Sequence, residues 1–277
     1  MKNIAKRLTL ALVAAAGMGL TGLAAAQGTW NLSTSTCDPY GASPYTAGCT
    51  IGTVTAGVTA WGNTGSGGTY VRGVLSDQGA SGVGASSITG GTTETTSYNH
   101  HAFDNSGGSA TYGGTNEMAL LQFSSAVNLT QIALGWYTSD ADVTLLRWTG
   151  GAGPDLTTTT TTGTSGLVAK GWELVKSSDV DPSSTMNSGS SLFSSWWLVS
   201  TYFGSDGVSA ADGSGTLEKG NDYFKLLSFT AGVCAGTVGS DGKCGGGSTG
   251  VPEPASLALV GMALLGVVAS RRRARRG

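Results

Sequence analysis

The sequence predicts an all-β fold, a single β-sandwich domain of jelly-roll type, and three observations support this prediction. Gly, Thr and Ser supply 46, 36 and 33 of the 277 residues, and all three are poor helix formers. Apolar and polar residues alternate in several short segments, as in half-buried strands. Turn-forming residues separate these segments at intervals of about ten to twenty-five residues, which is typical of sandwiches and barrels.

Eight segments have the pattern of strands. They are residues 50–56, 69–75, 117–123, 129–136, 143–148, 171–175, 192–203 and 222–229. The Gly/Ser/Thr stretch 79–96 is predicted as a loop or an irregular edge, and the run Thr157 to Thr162 as an exposed loop, because both contain almost no apolar side chain to bury. No internal repeat is visible, so we expect one β-sandwich surface domain over residues 27–244.

The charge of the chain is unevenly distributed. Three basic residues lie in the first ten positions and five in the last seven, which leaves seven basic residues between them. All acidic residues except Glu253, 16 in number, lie before residue 251. The central region therefore has a net charge near −9. Binding to nucleic acid needs a positive surface, and this class of partner is excluded.

The N-terminus has the three parts of a secretory signal peptide. Lys2, Lys6 and Arg7 precede an apolar segment over residues 8–23, and Ala24 to Ala26 offer a small-residue cleavage site. This order predicts a signal peptide over residues 1–26, removed by signal peptidase before Gln27.

The C-terminus also has three parts. The Val251-Pro252-Glu253-Pro254 motif comes first and is followed by an uncharged apolar segment over residues 255–270, predicted as a transmembrane helix. An Arg-rich tail ends the chain: Arg271, Arg272, Arg273, Arg275 and Arg276. The tail predicts a membrane stop with a cytoplasmic C-terminus. Residues 245–250, all Gly, Ser or Thr, are predicted as a flexible linker.

This arrangement over residues 251–277 resembles the PEP-CTERM sorting signal of Gram-negative bacteria. The resemblance implies recognition by exosortase, a membrane cysteine transpeptidase, and processing at or near the Pro-Glu-Pro motif. It further implies an exported precursor anchored transiently in the inner membrane, which then passes to the cell surface or the extracellular polymer. Two prolines would keep the recognition segment extended and separate from the helix.

Residues 100–230 resemble a family of exosortase-dependent surface proteins. The similar segments are Asp104-Asn105, residues 117–123, residues 129–136, Asp140 to Asp142, Trp148 with Gly150, Gly171-Trp172 and residues 222–226. This resemblance implies a surface protein and assigns no catalytic residue.

The four cysteines form two close pairs in the sequence, Cys37 with Cys49 and Cys234 with Cys244. In an oxidising compartment an even number of cysteines predicts disulfides. The two local loops are favoured among the three connectivities, while a bridge between the first and the last pair stays open. Zinc is less favoured, because the spacings differ from CxxC and no histidine is near either pair.

Candidate catalytic groups are few. His100 and His101 are the only histidines, and no Gly-x-Ser-x-Gly elbow stands on a strand-to-helix turn. Asp140 and Asp142 are weak candidates for Ca²⁺ ligands, with a turn between two strands as the alternative. Asp179 and Asp181 form a similar pair. Glu117 and Glu173 as a glycosidase pair would require a shared cleft.

Five of the seven tryptophans lie in the second half of the predicted domain, at positions 136, 148, 172, 196 and 197. We expect most of them in the core. Because side chains alternate along a strand, Trp196 and Trp197 should face opposite sides, so that one of them is available to stack on a sugar ring.

Three functions are compatible with export. The first is a cell-surface or matrix protein without catalytic activity, and we expect this function, with no cofactor other than the weak Ca²⁺ pair. The alternative is a carbohydrate-binding or adhesive module of the exopolysaccharide matrix. A hydrolase is less favoured, because the chain has few ionisable groups that could be tuned for acid–base chemistry.

Overall fold

The computed structural model describes residues 27–33, 37, 47–63, 69–86, 88–89, 92–93, 101–105, 116–138, 140–159, 163–180, 184–202, 217–218 and 220–245. Ala25–Cys244 form one compact unit. Most of the described residues are β-strand and nearly all strand pairs are antiparallel, so the all-β fold class is confirmed.

The described strands before the centre of the chain are mostly short. They are β1 (Gln27–Asn31), β2 (Ala47–Ile51), β3 (Val54–Asn63), β4 (Tyr70–Arg72), β5 (Val74–Asp77), β6 (Val83–Ser86), β7 (Ile88–Thr89), β8 (Thr92–Thr93) and β9 (Phe103–Asp104). A single 3₁₀ turn, Gly79–Ser81, precedes β6.

The longer strands follow. They are β10 (Glu117–Tyr137), β11 (Asp142–Trp148), β12 (Trp172–Asp179), β13 (Thr185–Asn187), β14 (Ser194–Thr201), β15 (Tyr223–Val233), β16 (Thr237–Val238) and β17 (Cys244–Gly245). The helix α1 (Gly163–Ala169) lies between β11 and β12.

The 21-residue strand β10 belongs to both halves of the sheet. Up to Phe123 it pairs with β3 on one side and β14 on the other. From Val127 onward it pairs with β15, and its register with β14 shifts between Gln122 and Val127. Exposed Ser124 and Ser125 lie at this shift. Two predicted strands, 117–123 and 129–136, are therefore one continuous strand.

Each half of the sheet is built around β10. The first half has the order β12, β11, β14, β10, β3 and β2. In the second half β15 pairs with β10 on one side, and with β1, β6 and β9 on the other. The inner faces of both halves contribute to one core, which is the arrangement of a β-sandwich.

The core is centred on three aromatic rings from three strands. Trp30 stacks on Phe229 with ring centroids 5.7 Å apart, and Phe123 packs edge-on against both rings. All three side chains are buried. Burial of each such side chain contributes about 1.5–3 kcal/mol to stability, so a few aromatics compensate for the many small residues of this chain.

The outer face of the first half is covered as well. Met118, Leu120 and Leu198 point away from the main core and meet Leu167 of α1 and Leu156 of the preceding loop. The helix was not predicted, because its sequence GTSGLVA contains poor helix formers. The packing of Leu167 against the sheet stabilises α1, which the intrinsic helix propensity of its residues does not.

Two loop predictions need correction. Val83–Ser86, within the predicted loop 79–96, is strand β6 and pairs with β5 and β15. Thr159, within the predicted exposed Thr run, is 1% exposed. Gly and Ser can occupy a strand where neighbouring backbones approach closely. The composition of this stretch does not show that β5 and β15 lie beside it.

Both local disulfides are present, as favoured from the sequence: Cys37–Cys49 and Cys234–Cys244. Within the part of the chain that the structure describes, no helix is both long and apolar enough to cross a membrane. The predicted signal peptide 1–26, most of the linker 245–250, the Pro-Glu-Pro motif, the helix 255–270 and the Arg-rich tail lie outside the described residues.

Candidate functional site

An open cavity of about 550 Å³ lies where β11, β12 and β14 begin or end. We call it the hairpin cleft, because the turn between β16 and β17 forms one wall. Its side-chain and backbone lining comes from residues 147–152, Glu173, residues 193–196 and residues 238–242, with Ala126 beside them. Arg147 and Trp148 are successive residues of β11, so their side chains lie on opposite faces of the sheet. Both line the cleft because it extends around the end of this strand.

Arg147 is the cation of the hairpin cleft and is only 6% exposed. It pairs across strands with Glu173, and its Nη2 forms an ion pair with Glu173 Oε2. Its Nη1 donates a 3.1 Å hydrogen bond to the carbonyl oxygen of Phe193. The guanidinium is therefore held in place by these two contacts, while its Nε–H is buried without a partner among the described residues.

The carboxylates of the cleft are more accessible than the cation. The Glu173 side chain is 42% exposed, and Asp241 is exposed in the turn of the hairpin. Asp241 Oδ1 accepts a 3.1 Å hydrogen bond from the backbone amide of Lys243, which fixes the turn. The cleft thus offers one cation and two carboxylates to any bound molecule.

Two half-buried indoles lie at the other end of the cleft. Trp148 Nε1 donates a 2.6 Å hydrogen bond to the carbonyl oxygen of Ala152, and its ring packs on Trp172 at 5.2 Å between centroids. A Cβ at Gly153 would lie 3.2 Å from the Trp196 ring. The glycine-rich loop 150–153 therefore lies directly against both indoles.

The hairpin is attached to the sheet by backbone contacts and closed by a disulfide. Cys234–Cys244 joins its two ends. The amide of Phe193 donates a 2.7 Å hydrogen bond to the carbonyl oxygen of Gly242, and Leu192 forms a bridge to Lys243. This wall of the cleft is thereby fixed relative to Arg147.

The structure places Trp196 and Trp197 on opposite faces of β14, as the alternation predicts. Trp197 is 0% exposed, and its Nε1 donates a 3.1 Å hydrogen bond to the carbonyl oxygen of Ser194. It belongs to the main core and cannot stack on a sugar. Trp196 faces the opposite side and remains half-buried in the wall of the cleft. The alternation along β14 was read correctly, and burial decides which ring is available.

Asp140 and Asp142 lie close together and are joined by Asp222, which enters from the start of β15. One carboxylate oxygen of each lies within 4.8 Å of the others. These carboxylates accept hydrogen bonds from the amides of nearby loops: Asp222 Oδ1 from Asp142 N at 2.7 Å, and Asp142 Oδ2 from Glu218 N at 2.6 Å. Asp140 Oδ2 accepts from Asn221 Nδ2 at 2.8 Å.

The pKa of the Asp222 carboxyl is raised to about 8, chiefly by burial and also by the nearby carboxylates of Asp142 and Asp140, while hydrogen bonds from the Asp142 amide and Asn105 oppose the shift. The three carboxyl groups therefore anchor the nearby backbone, and their crowding disfavours the ionised form of Asp222. Ca²⁺ binding by Asp140 and Asp142 stays a prediction, to which the structure adds Asp222 as a neighbour.

The remaining candidates do not assemble into one site. His101 is half-buried, while His100 and Asp181 lie outside the described residues. Glu117 is 1% exposed, and its Oε2 accepts a 3.3 Å hydrogen bond from the amide of Asp104. Glu173 instead lines the hairpin cleft, so the two glutamates serve different structures.

Sequence reasoning missed Arg147 and Asp241. One feature of the sequence could have identified Arg147, since it is a charged residue near the end of the apolar strand 143–148. A nearly buried arginine requires a charged or polar partner. The sequence does not reveal that partner, because Glu173 lies on another strand. Nothing local distinguishes Asp241 from other turn aspartates.

The comparison with protein families gives one finding. The PEP-CTERM protein-sorting motif matches residues 250–273. The chain therefore carries a PEP-CTERM sorting domain, as the resemblance predicted, and this domain implies an exosortase-sorted, exported protein. No curated protein and no solved structure matches the chain. The resemblance of residues 100–230 to exosortase-dependent surface proteins stays a prediction.

Proposed function

We propose that the protein is a structural component of the cell surface or extracellular matrix, without catalytic activity, that exosortase releases from its membrane anchor. The sorting motif at residues 250–273 carries this proposal. Two disulfides suit an oxidising exterior. The buried carboxylates of Asp142 and Asp222 hold backbone amides, which is a structural role.

The sorting step is tested by expressing the full chain in a bacterium that has an exosortase. We expect a surface or medium form whose mass begins at Gln27 and ends at or near the Pro-Glu-Pro motif. A double variant, Pro252→Ala with Pro254→Ala, should keep the apolar segment and remain in the inner membrane. Ser248→Ala, in the linker, is the matched control and should be processed normally. A surface form that retains residues 255–277 would contradict the proposal.

The absence of catalysis is tested on the purified surface form. Glycan and ester panels should show no turnover above buffer. Turnover that disappears in His101→Ala would instead identify an enzyme.

A second candidate function, a carbohydrate-binding module, is favoured by one observation. Trp196 is partly accessible in the wall of the hairpin cleft, and it is accompanied by Trp148 and the Arg147–Glu173 ion pair. Both functions use the same route to the surface. They differ in one measurement, the binding of a glycan by the purified chain.

A further inference from the structure

The geometry points to the hairpin cleft as a binding site for an uncharged oligosaccharide, with Trp148 and Trp196 contacting sugar rings and Arg147 with Glu173 contacting hydroxyl groups. This inference rests on the carbohydrate-binding function proposed for the same cleft, and it specifies the class of ligand. It also assigns a role to Arg147 and Glu173 beyond their mutual ion pair.

The size of the cleft suits a small molecule or a short stretch of polymer. Its volume of about 550 Å³ lies within the roughly 300–1,000 Å³ of typical ligand sites. Because it passes over the ends of β11 and β14, a linear ligand could contact the ion pair and the indoles together.

The guanidinium of the cleft can donate hydrogen bonds to a ligand. Arg147 lines the cleft, and each of its two terminal nitrogens carries two N–H groups. Nη1 uses one of them for the carbonyl oxygen of Phe193, and Nη2 uses one for Glu173 Oε2. The second N–H of each terminal nitrogen can donate to a ligand oxygen, whereas Nε is buried and takes no part in binding.

The carboxylates set the second requirement, a donor. Ionised Glu173 and Asp241 can only accept hydrogen bonds, so a ligand that contacts them must donate. A hydroxyl group both donates and accepts, and a polyhydroxylated molecule therefore satisfies Arg147 and the carboxylates at once.

The charge balance excludes an anionic ligand. Two carboxylates outweigh the single guanidinium of the cleft, and the central region of the chain has a net charge near −9. A uronate or phosphate would be repelled from such a surface. The ligand that fits is a neutral sugar.

The two indoles supply the apolar contact. A sugar ring has a C–H face that stacks on an indole. The loop from Gly150 to Gly153 holds these rings in place, since a Cβ at Gly150 would lie 2.5 Å from Trp148 Cζ2. Trp148 is further fixed by its hydrogen bond to Ala152. The rings are thus positioned before a ligand arrives, which limits the entropy lost on binding.

The test is a calorimetric titration of the full purified chain with neutral hexasaccharides, namely cellohexaose, laminarihexaose and maltohexaose, and with an alginate hexamer as the anionic probe. We expect at least one neutral hexamer to bind, with an affinity at least tenfold higher than that of the alginate hexamer. Trp196→Ala and Arg147→Lys should each weaken binding at least tenfold, since the lysine keeps the charge but lacks the planar guanidinium with its two terminal nitrogens.

Controls separate a lost site from a lost fold. Trp136→Ala removes a half-buried tryptophan on β10 and should bind as the unaltered chain does. Gly151→Leu fills the cleft where a Cβ meets no atom within 4 Å and should abolish binding without unfolding. Its matched control is Gly48→Leu, at an exposed position of β2, where a Cβ meets only Ala56 O at 3.7 Å.

Three outcomes would overturn the inference: no neutral hexamer binds, the alginate hexamer binds more tightly, or Gly151→Leu binds as Gly48→Leu does. Cell fractionation of the same variants tests the proposed surface location independently. Surface display should be unchanged in Gly151→Leu, so a failure of glycan binding and a failure of sorting are distinguishable.

Discussion

The backbone amide of Phe193 donates a 2.7 Å hydrogen bond to the carbonyl oxygen of Gly242, and this bond attaches the hairpin to the sheet. Gly242 has a φ of 75°, in the left-handed region that favours glycine. A Cβ at this position would also clash with the Arg147 guanidinium, which the Glu173 and Phe193 contacts hold in place. The hairpin wall of the cleft thus depends on one glycine.

We predict that Gly242→Ala lowers the free energy of unfolding by about 1–2 kcal/mol, the usual cost of a left-handed L-residue. Urea denaturation measures this change. Gly151→Ala, in open space within the same cleft, is the control and should change stability by less than about 0.5 kcal/mol. Equal stabilities of the two variants would contradict the role given to Gly242.

The second prediction concerns the disulfides. Alkylation of the unreduced surface form should label none of the four cysteines, and peptide mapping should recover Cys37–Cys49 and Cys234–Cys244. Replacing both Cys234 and Cys244 by Ser should lower stability by roughly 2–4 kcal/mol, because the unfolded chain loses a cross-link. A peptide linking Cys37 to Cys244 would disprove this pairing.

The third prediction follows from the raised pKa of Asp222. The pKa of this carboxyl is about 8 in the folded chain against an ordinary value of 3.8, so the folded state binds more protons between these two pH values. Stability should therefore fall as pH rises from about 4 to about 8, with up to about 1.4 kcal/mol lost per pH unit.

Urea titrations at pH 5, 6.5 and 8 measure this slope. Asp222→Asn should flatten it, because an amide resembles the protonated acid and cannot ionise. The prediction fails if the unaltered chain is equally stable at pH 5 and pH 8, or if the Asn variant keeps the slope.

The fourth prediction compares two tryptophans. Trp197→Ala removes a fully buried side chain from the main core and should cost about 3–5 kcal/mol. Trp136→Ala removes a half-buried ring that lies 4.4 Å from Lys225 Nζ, and it should cost less than half as much. Thermal melts of both variants provide the comparison, and a smaller loss for Trp197→Ala would place the core elsewhere.

The sequence was most informative where one residue pattern determines the outcome. Alternation identified the second half of β10 at residues 129–136, and it placed Trp196 and Trp197 on opposite faces. Close spacing identified both disulfides, and the Pro-Glu-Pro motif identified the sorting domain. Each of these features is determined by residues that are close together in the chain, so a single segment of sequence is enough to predict it.

The missed features depend on distant partners. Val83–Ser86 forms a strand because β5 and β15 lie beside it, and α1 forms because Leu167 meets the outer face of the sheet. Likewise Asp222 joins Asp140 and Asp142 from the far end of the domain. Arg147, Glu173 and Asp241 meet only after three separate segments have folded, so no local pattern predicts the cleft.

The pairing of β1 with β15 bears on when the domain can fold. Gln27 lies opposite Gly232, and β15 also supplies partners to β6, β9 and β10. In a chain that crosses the membrane N-terminus first, β1, β6, β9 and β10 therefore emerge before β15. They cannot pair with β15 until Val233 has emerged. Such non-local pairing slows folding and leaves strand edges open to other chains. During export of this protein, a chaperone that binds unfolded chains is therefore needed most before β15 has emerged, because the unpaired early strands could then associate with other chains.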